Sequence, residues 1–165
     1  MTQLPISKNG KTVRDVIEEA VRLAGDILLA KFNDEKKVKI KGPKDIVTDV
    51  DLEVEGIIFK HLRDNYPEMA MIGEESFKGE MPSGFVWIVD PIDGTRNYAA
   101  GIPIFSVVVA LSYNGEVVAG ANFDPKKDEL FEAEKGKGAF VNGRPTKISE
   151  KTEIEKAIIG MDLSY

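Results

Sequence analysis

At Tyr66-Pro67 the hydrophobic period of this chain changes, and that change restricts the fold more than any other feature. Upstream, Val13, Val16, Ile17, Ala20, Val21, Ala24, Ile27 and Leu28 recur at helical spacing, with Glu18, Glu19, Arg22 and Asp26 mostly opposite. Thr12 followed by Asp15 predicts the start, because a hydroxyl and a carboxylate three residues apart satisfy free helix N–H groups reciprocally. Thr48 and Asp51 repeat that signature ahead of Val50, Val54, Ile57, Ile58, His61 and Leu62, so a second helix is expected, ending near Pro67. Downstream the apolar runs shorten: 69–72, 85–89, 104–113, 116–123, 130–133 and 139–141 read as strands. Asn114-Gly115 and Asn142-Gly143 are turn pairs that accept positive φ. The expected class is α+β, two long helices stacked on one face of a mostly antiparallel sheet.

A chain of 165 residues is the size of one domain and buries roughly 70% of the surface exposed by its unfolded form. Having no cysteine, it can build neither disulfides nor thiolate metal sites nor a cysteine nucleophile, which fits a reducing, cytoplasmic compartment. No apolar run is long enough to span a membrane, and the first residues lack the apolar middle of a secretory signal. The formal charge of −6 argues against a nucleic-acid polymer as partner. The one basic stripe, Lys36, Lys37, Lys39, Lys41 and Lys44, has no interleaved aromatics and reads as a solvated or substrate-facing loop.

Carboxylates concentrate beside structure-breaking residues in three segments: Asp45 to Asp51, Gly73-Glu74-Glu75-Ser76, and Asp90-Pro91-Ile92-Asp93-Gly94-Thr95. Each has a plain structural explanation. Asp49 and Asp51 suit a first helical turn, Glu74 and Glu75 suit a solvated loop, and Asp93-Gly94 suits a hairpin turn. The third segment also has a chemical reading. A buried strand would end at Asp90, Gly94 would let backbone approach a ligand, and Thr95 would open a helical turn facing an anion. Two carboxylates at a strand end can share hard cations, which take oxygen ligands, so phosphate with magnesium is the chemistry suggested. An EF-hand does not fit, since counting from Asp49 puts Val54 where glycine is needed and Lys60 where a bidentate glutamate belongs. His61, the only histidine, sits on the apolar side of its helix and reads as a packing residue, which leaves no Ser-His-Asp relay. The spacing of Asp90 and Asp93 favours attack by water over an aspartyl-phosphate intermediate.

Four motifs occur in order: Asp45-x-Val-Thr48-x-x-Asp51, Gly73-Glu74-Glu75-Ser76, Trp87-x-Val-Asp90-Pro91-Ile92-Asp93-Gly94-Thr95, and Gly136-x-Gly138-Ala139-x-x-Asn142-Gly143. Together they resemble the inositol monophosphatase family of magnesium-dependent, lithium-sensitive phosphatases, which also includes archaeal fructose-1,6-bisphosphatases and nucleotide 3′-phosphatases. The resemblance implies that Glu74, Asp90 and the carbonyl of Ile92 hold a first Mg2+, and that Asp90 and Asp93 contribute to a second, with two or three ions in all. It implies that the N–H groups of Gly94 and Thr95 grip the phosphate. Thr95 paired with Asp51 would orient the attacking water with help from Glu74, and Lys41 and Asp45 would belong to a mobile loop. The substrates implied are a small sugar, inositol or nucleotide phosphate.

Family members are longer. They add a second α/β layer with a further metal-ligating aspartate in a Trp-Asp-x-Ala-type motif, and nothing here matches it; the only Trp is Trp87 and the last acid is Asp162. The chain therefore reads as the N-terminal half of a layered αβαβα sugar-phosphatase. Residues 1–153 would form the metal- and phosphate-binding domain, and 154–165 the start of a second domain otherwise absent. Impaired hydrolysis is expected of it alone, with a non-catalytic metal- and phosphate-binding fragment as the alternative. A strand expected at 157–161 would leave an edge open to pairing in a homodimer.

Overall fold

Both capping boxes form. The computed structural model describes residues 3–42, 45–77, 79–80 and 82–158. Helix α1 (Val13–Lys31) starts at Thr12, whose hydroxyl accepts from the Asp15 N–H while Asp15 accepts from the Thr12 N–H. Helix α2 (Asp49–Asn65) starts at Thr48 in the same reciprocal way with Asp51. It ends where Pro67 forces Tyr66 out of helical geometry, at φ −136° and ψ 73°.

The segment between the helices differs from the expected loop. Strands β1 (Val38–Gly42) and β2 (Asp45–Thr48) pair antiparallel as a two-stranded sheet. Val38 and Ile40 alternate with Lys39 and Lys41, a period of two that the lysine-rich composition obscures.

The main sheet has seven strands in sequence order: β3 (Ala70–Gly73), β4 (Phe85–Asp93), β5 (Ser106–Tyr113), β6 (Glu116–Asp124), β7 (Glu129–Glu134), β8 (Gly138–Val141) and β9 (Arg144–Pro145). β3 runs parallel to β4 and every other pair is antiparallel. Asn114 (φ 49°) and Gly115 (φ 83°) turn β5 into β6, both left-handed as this tight hairpin needs. β4 runs past the end expected at Val89 or Asp90. A register shift between Asp90 and Asp93 absorbs Pro91, which cannot donate to the ladder, and the strand continues to Asp93. A short helix α3 (Thr95–Ala99) follows.

α1 packs on β5 and β6, and α2 on β4, so both helices cover the same face. Gly25 lets α1 approach closely, because a Cβ there would lie 2.5 Å from the Phe123 ring. Trp87 is fully buried beneath the helices, with its ring 5.5 Å from that of Tyr66. The expected α+β arrangement is the one observed. On the opposite face Val117 and Phe131 are exposed. Most of the strand expected at 157–161, and Asp162, lie outside the described residues; Ile154–Lys156 forms a 3-10 turn before them. No helix among the described residues is long and apolar enough to cross a membrane.

Candidate active site

Parallel pairing of β3 with β4 brings two chain exits to one sheet end. Gly73 lies opposite Val89, and the Glu74 N–H extends the ladder by donating to the Val89 carbonyl at 3.0 Å. Glu74 and Asp90 are thereby neighbours. The bulge at Pro91 then returns Asp93 to the same edge, where its carboxylate accepts from the Ser106 hydroxyl at 3.3 Å. Asp90 accepts from the Ile92 N–H at 3.2 Å, which tightens the bulge.

The electrostatics record this crowding. Burial, then the Glu74 charge and its hydrogen-bonding contact, then Asp93, push the Asp90 carboxyl up to about 7. Glu75 is also raised by burial, opposed by Lys41, whose ammonium lies 2.8 Å from Glu75 and 3.5 Å from Glu74. Lys41, expected on a loop, thus reaches the acids from β1. Nothing is described of the Asp45 side chain, although its backbone opens β2.

After Asp93, Gly94 takes φ +90° and caps α3, and a Cβ there would meet the Ile104 carbonyl at 3.0 Å. The segment opens a helical turn rather than a hairpin. Thr95 places its hydroxyl 2.9 Å from the Ile92 carbonyl and 3.1 Å from Asp51 Oδ1. The other oxygen of Asp51 is held by the N–H and hydroxyl of Thr48. Asp51 is completely buried, and burial raises its carboxyl against the lowering effect of those hydrogen bonds. Asp51 thus makes two contacts at once: one oxygen caps α2 and the other meets Thr95. A cleft of about 430 Å³ opens beside Asp93 and Gly94, lined also by Asn97, Ser106, Asn122 and Asp124.

Glu74, Asp90, Asp93, Ile92, Gly94, Thr95, Asp51 and Lys41 therefore gather at one end of β3 and β4. The carboxylates of Glu74, Asp90 and Asp93 and the Ile92 carbonyl offer hard oxygens, and a divalent cation would offset the charge that helps to raise Asp90. Among the described residues, no three acids stand close enough to enclose an ion by themselves. Mg2+ does not need such a cage, since it keeps several waters and uses one or two carboxylates with substrate phosphate. His61 stays outside, 3.4 Å from Glu19 on α1, in keeping with a packing role. Glu55 is the residue missed. It lies four positions after Asp51 on the buried stripe of α2, and its carboxylate accepts from the Glu75 N–H at 3.1 Å. An acid on an apolar stripe was the available signal.

Known proteins resemble this chain in sequence and in fold. Inositol monophosphatase 3 of Solanum lycopersicum is 37% identical over 163 residues, 95% of this chain and 61% of its own length. The solved extragenic suppressor protein suhB of Bartonella henselae is 40% identical, with a TM-score of 0.79 over 84% of this chain and 55% of that one. The inositol monophosphatase structure from Thermotoga maritima is 36% identical, with a TM-score of 0.77 over 83% of this chain and 54% of its own. The chain spans little more than half the length of these relatives. Residues 9–165, a stretch that contains all four motifs, match the description of the inositol monophosphatase family, and the chain belongs to that family.

Proposed function

We propose that this chain carries the metal- and phosphate-binding half of a magnesium-dependent phosphomonoesterase acting on an inositol or small sugar phosphate. The observation that supports it most is the crowding of Glu74, Asp90 and Asp93 at the ends of two parallel strands, beside a glycine-capped turn. Glu74, Asp90 and the Ile92 carbonyl would hold one Mg2+, and Asp90 with Asp93 would contribute to another. When bound, Mg2+ supplies Lewis acidity that acidifies a water and offsets phosphoryl charge. The chain's own groups do the rest. The Gly94 and Thr95 N–H groups hold the phosphoryl oxygens. Thr95 donates to Asp51 and accepts from the attacking water, which aligns the water oxygen with phosphorus. As that oxygen bonds to phosphorus and the ester oxygen leaves with its electron pair, the water's proton passes toward the Thr95–Asp51 pair. Asp51 suits this, because burial raises its affinity for a proton. Li+ would compete for the same carboxylates.

The test is release of inorganic phosphate with Mg2+ from inositol monophosphate, fructose 1,6-bisphosphate and a nucleotide 3′-phosphate. The expected result is Mg2+-dependent release, greatest from inositol monophosphate and lost in Asp93→Asn. Release that Asp93→Asn leaves unchanged would contradict the assignment. Mg2+ binding without release from any substrate would favour a binding fragment, a reading prompted by the further aspartate that the resemblance implies and this sequence does not match.

A further inference from the structure

Helix α2 touches the site twice. Asp51 holds Thr95 in the turn after β4, and one helical turn later Glu55 reaches the turn after β3. Glu55 is 5% exposed, and its Oε2 accepts from the backbone N–H of Glu75 at 3.1 Å. The packing around that contact is specific. A Cβ on Gly73 would lie 2.1 Å from Glu55 Oε2 and 2.5 Å from its Cδ. Gly73 is not among the glycines with positive φ, so the backbone there would accept other residues, and the space taken first by the Glu55 carboxylate and then by the Phe59 ring, 2.9 Å from such a Cβ, is what calls for glycine. Glu74 is therefore held on both sides. Its own N–H is fixed to Val89, the next N–H is fixed to Glu55, and the Phe77 N–H closes the turn on the Gly73 carbonyl at 3.0 Å.

We propose that Glu55 is a positioning residue, resting on the magnesium reading above: from α2 it fixes the turn after β3 so that Glu74 is presented to Asp90. Because one rigid helix carries Asp51 and Glu55, the water-orienting pair and the metal-binding turn are set to a common frame. A buried carboxylate is costly to keep unless it is hydrogen-bonded, and the Glu75 N–H supplies that bond. Reach to the Glu75 N–H, rather than charge, is the function the geometry assigns.

Two substitutions separate reach from charge. Glu55→Asp keeps the charge and withdraws the acceptor by one methylene; Glu55→Gln keeps an acceptor at the same reach and removes the charge. Mg2+ affinity is read by calorimetry on the whole chain, with metal-free thermal unfolding as the check that each variant is folded. Partners that hold a ligand from behind typically change metal affinity about 10–100-fold, so Glu55→Asp should weaken Mg2+ binding at least about tenfold and Glu55→Gln by less than about threefold. Gly73→Ala, whose Cβ would displace the carboxylate and press on the Phe59 ring while leaving Glu55 itself unchanged, should weaken binding at least as much as Glu55→Asp does. Wild-type affinity in Glu55→Asp and Gly73→Ala would overturn the proposal. So would Glu55→Gln binding as weakly as Glu55→Asp, because charge would then be the cause. A wild-type chain that binds no Mg2+ would instead overturn the reading of the site on which the proposal rests.

Discussion

Asp90 shows what the site does to a single side chain. Burial, Glu74 and Asp93 raise its carboxyl from an ordinary 3.8 to about 7. Between those values the folded chain retains a proton that the unfolded chain has released. The stability contributed by this group is therefore full below about pH 4 and is lost as the pH rises through about 7. Without metal, Asp90→Asn should raise the unfolding temperature above about pH 7 and should make little difference below about pH 4. Thermal unfolding of both proteins across that range is the measurement. A wild-type chain as stable as Asp90→Asn at the high-pH end would show that the acids are not crowded as described. The same substitution removes a proposed Mg2+ ligand, so stability and metal binding are expected to move in opposite directions.

The two capping boxes are chemically alike and functionally unlike. Thr12→Ala and Thr48→Ala each remove an N-cap worth about 1 kcal/mol, which denaturant unfolding would register for both. Only Thr48 also holds the far oxygen of the carboxylate that meets Thr95. Thr48→Ala should therefore lower Mg2+-dependent phosphate release several-fold beyond any loss in Thr12→Ala, and equal activity in the two variants would contradict the role given to Asp51. The elements themselves were largely legible. Thr-x-x-Asp and helical periodicity marked α1 and α2, and Asn114-Gly115 marked the hairpin between β5 and β6. The β1–β2 hairpin was hidden because lysines alternate with only two exposed apolar residues, so no buried face announces its period. The extension of β4 past Pro91 was hidden because a bulge is a property of the partner strand's register, which local sequence does not carry. The acids of the site were visible as residues, while their convergence depends on β3 lying parallel to β4, a long-range pairing. Glu55 escaped notice because an acid within a buried stripe reads as an interruption until its hydrogen-bond partner is known.

At the scale of the whole molecule, one core joins α1, α2 and strands β4 to β7, and the site sits on that core's edge. Binding at the site is therefore expected to stabilise that core against unfolding. Trp87, the only tryptophan, is fully buried at the centre of that core and reports its loss. The most direct measurement is denaturant unfolding followed by Trp87 fluorescence, with and without Mg2+, for the wild-type chain and Asp90→Asn. A ligand that binds only the folded state adds about 2.7 kcal/mol at a hundredfold excess over its Kd. The wild-type midpoint should climb with Mg2+ concentration in a single transition, and the Asp90→Asn midpoint should stay where it is in metal-free buffer. A wild-type midpoint indifferent to Mg2+, or a rise that survives Asp90→Asn, would contradict the claim that Glu74, Asp90 and Asp93 form a magnesium site.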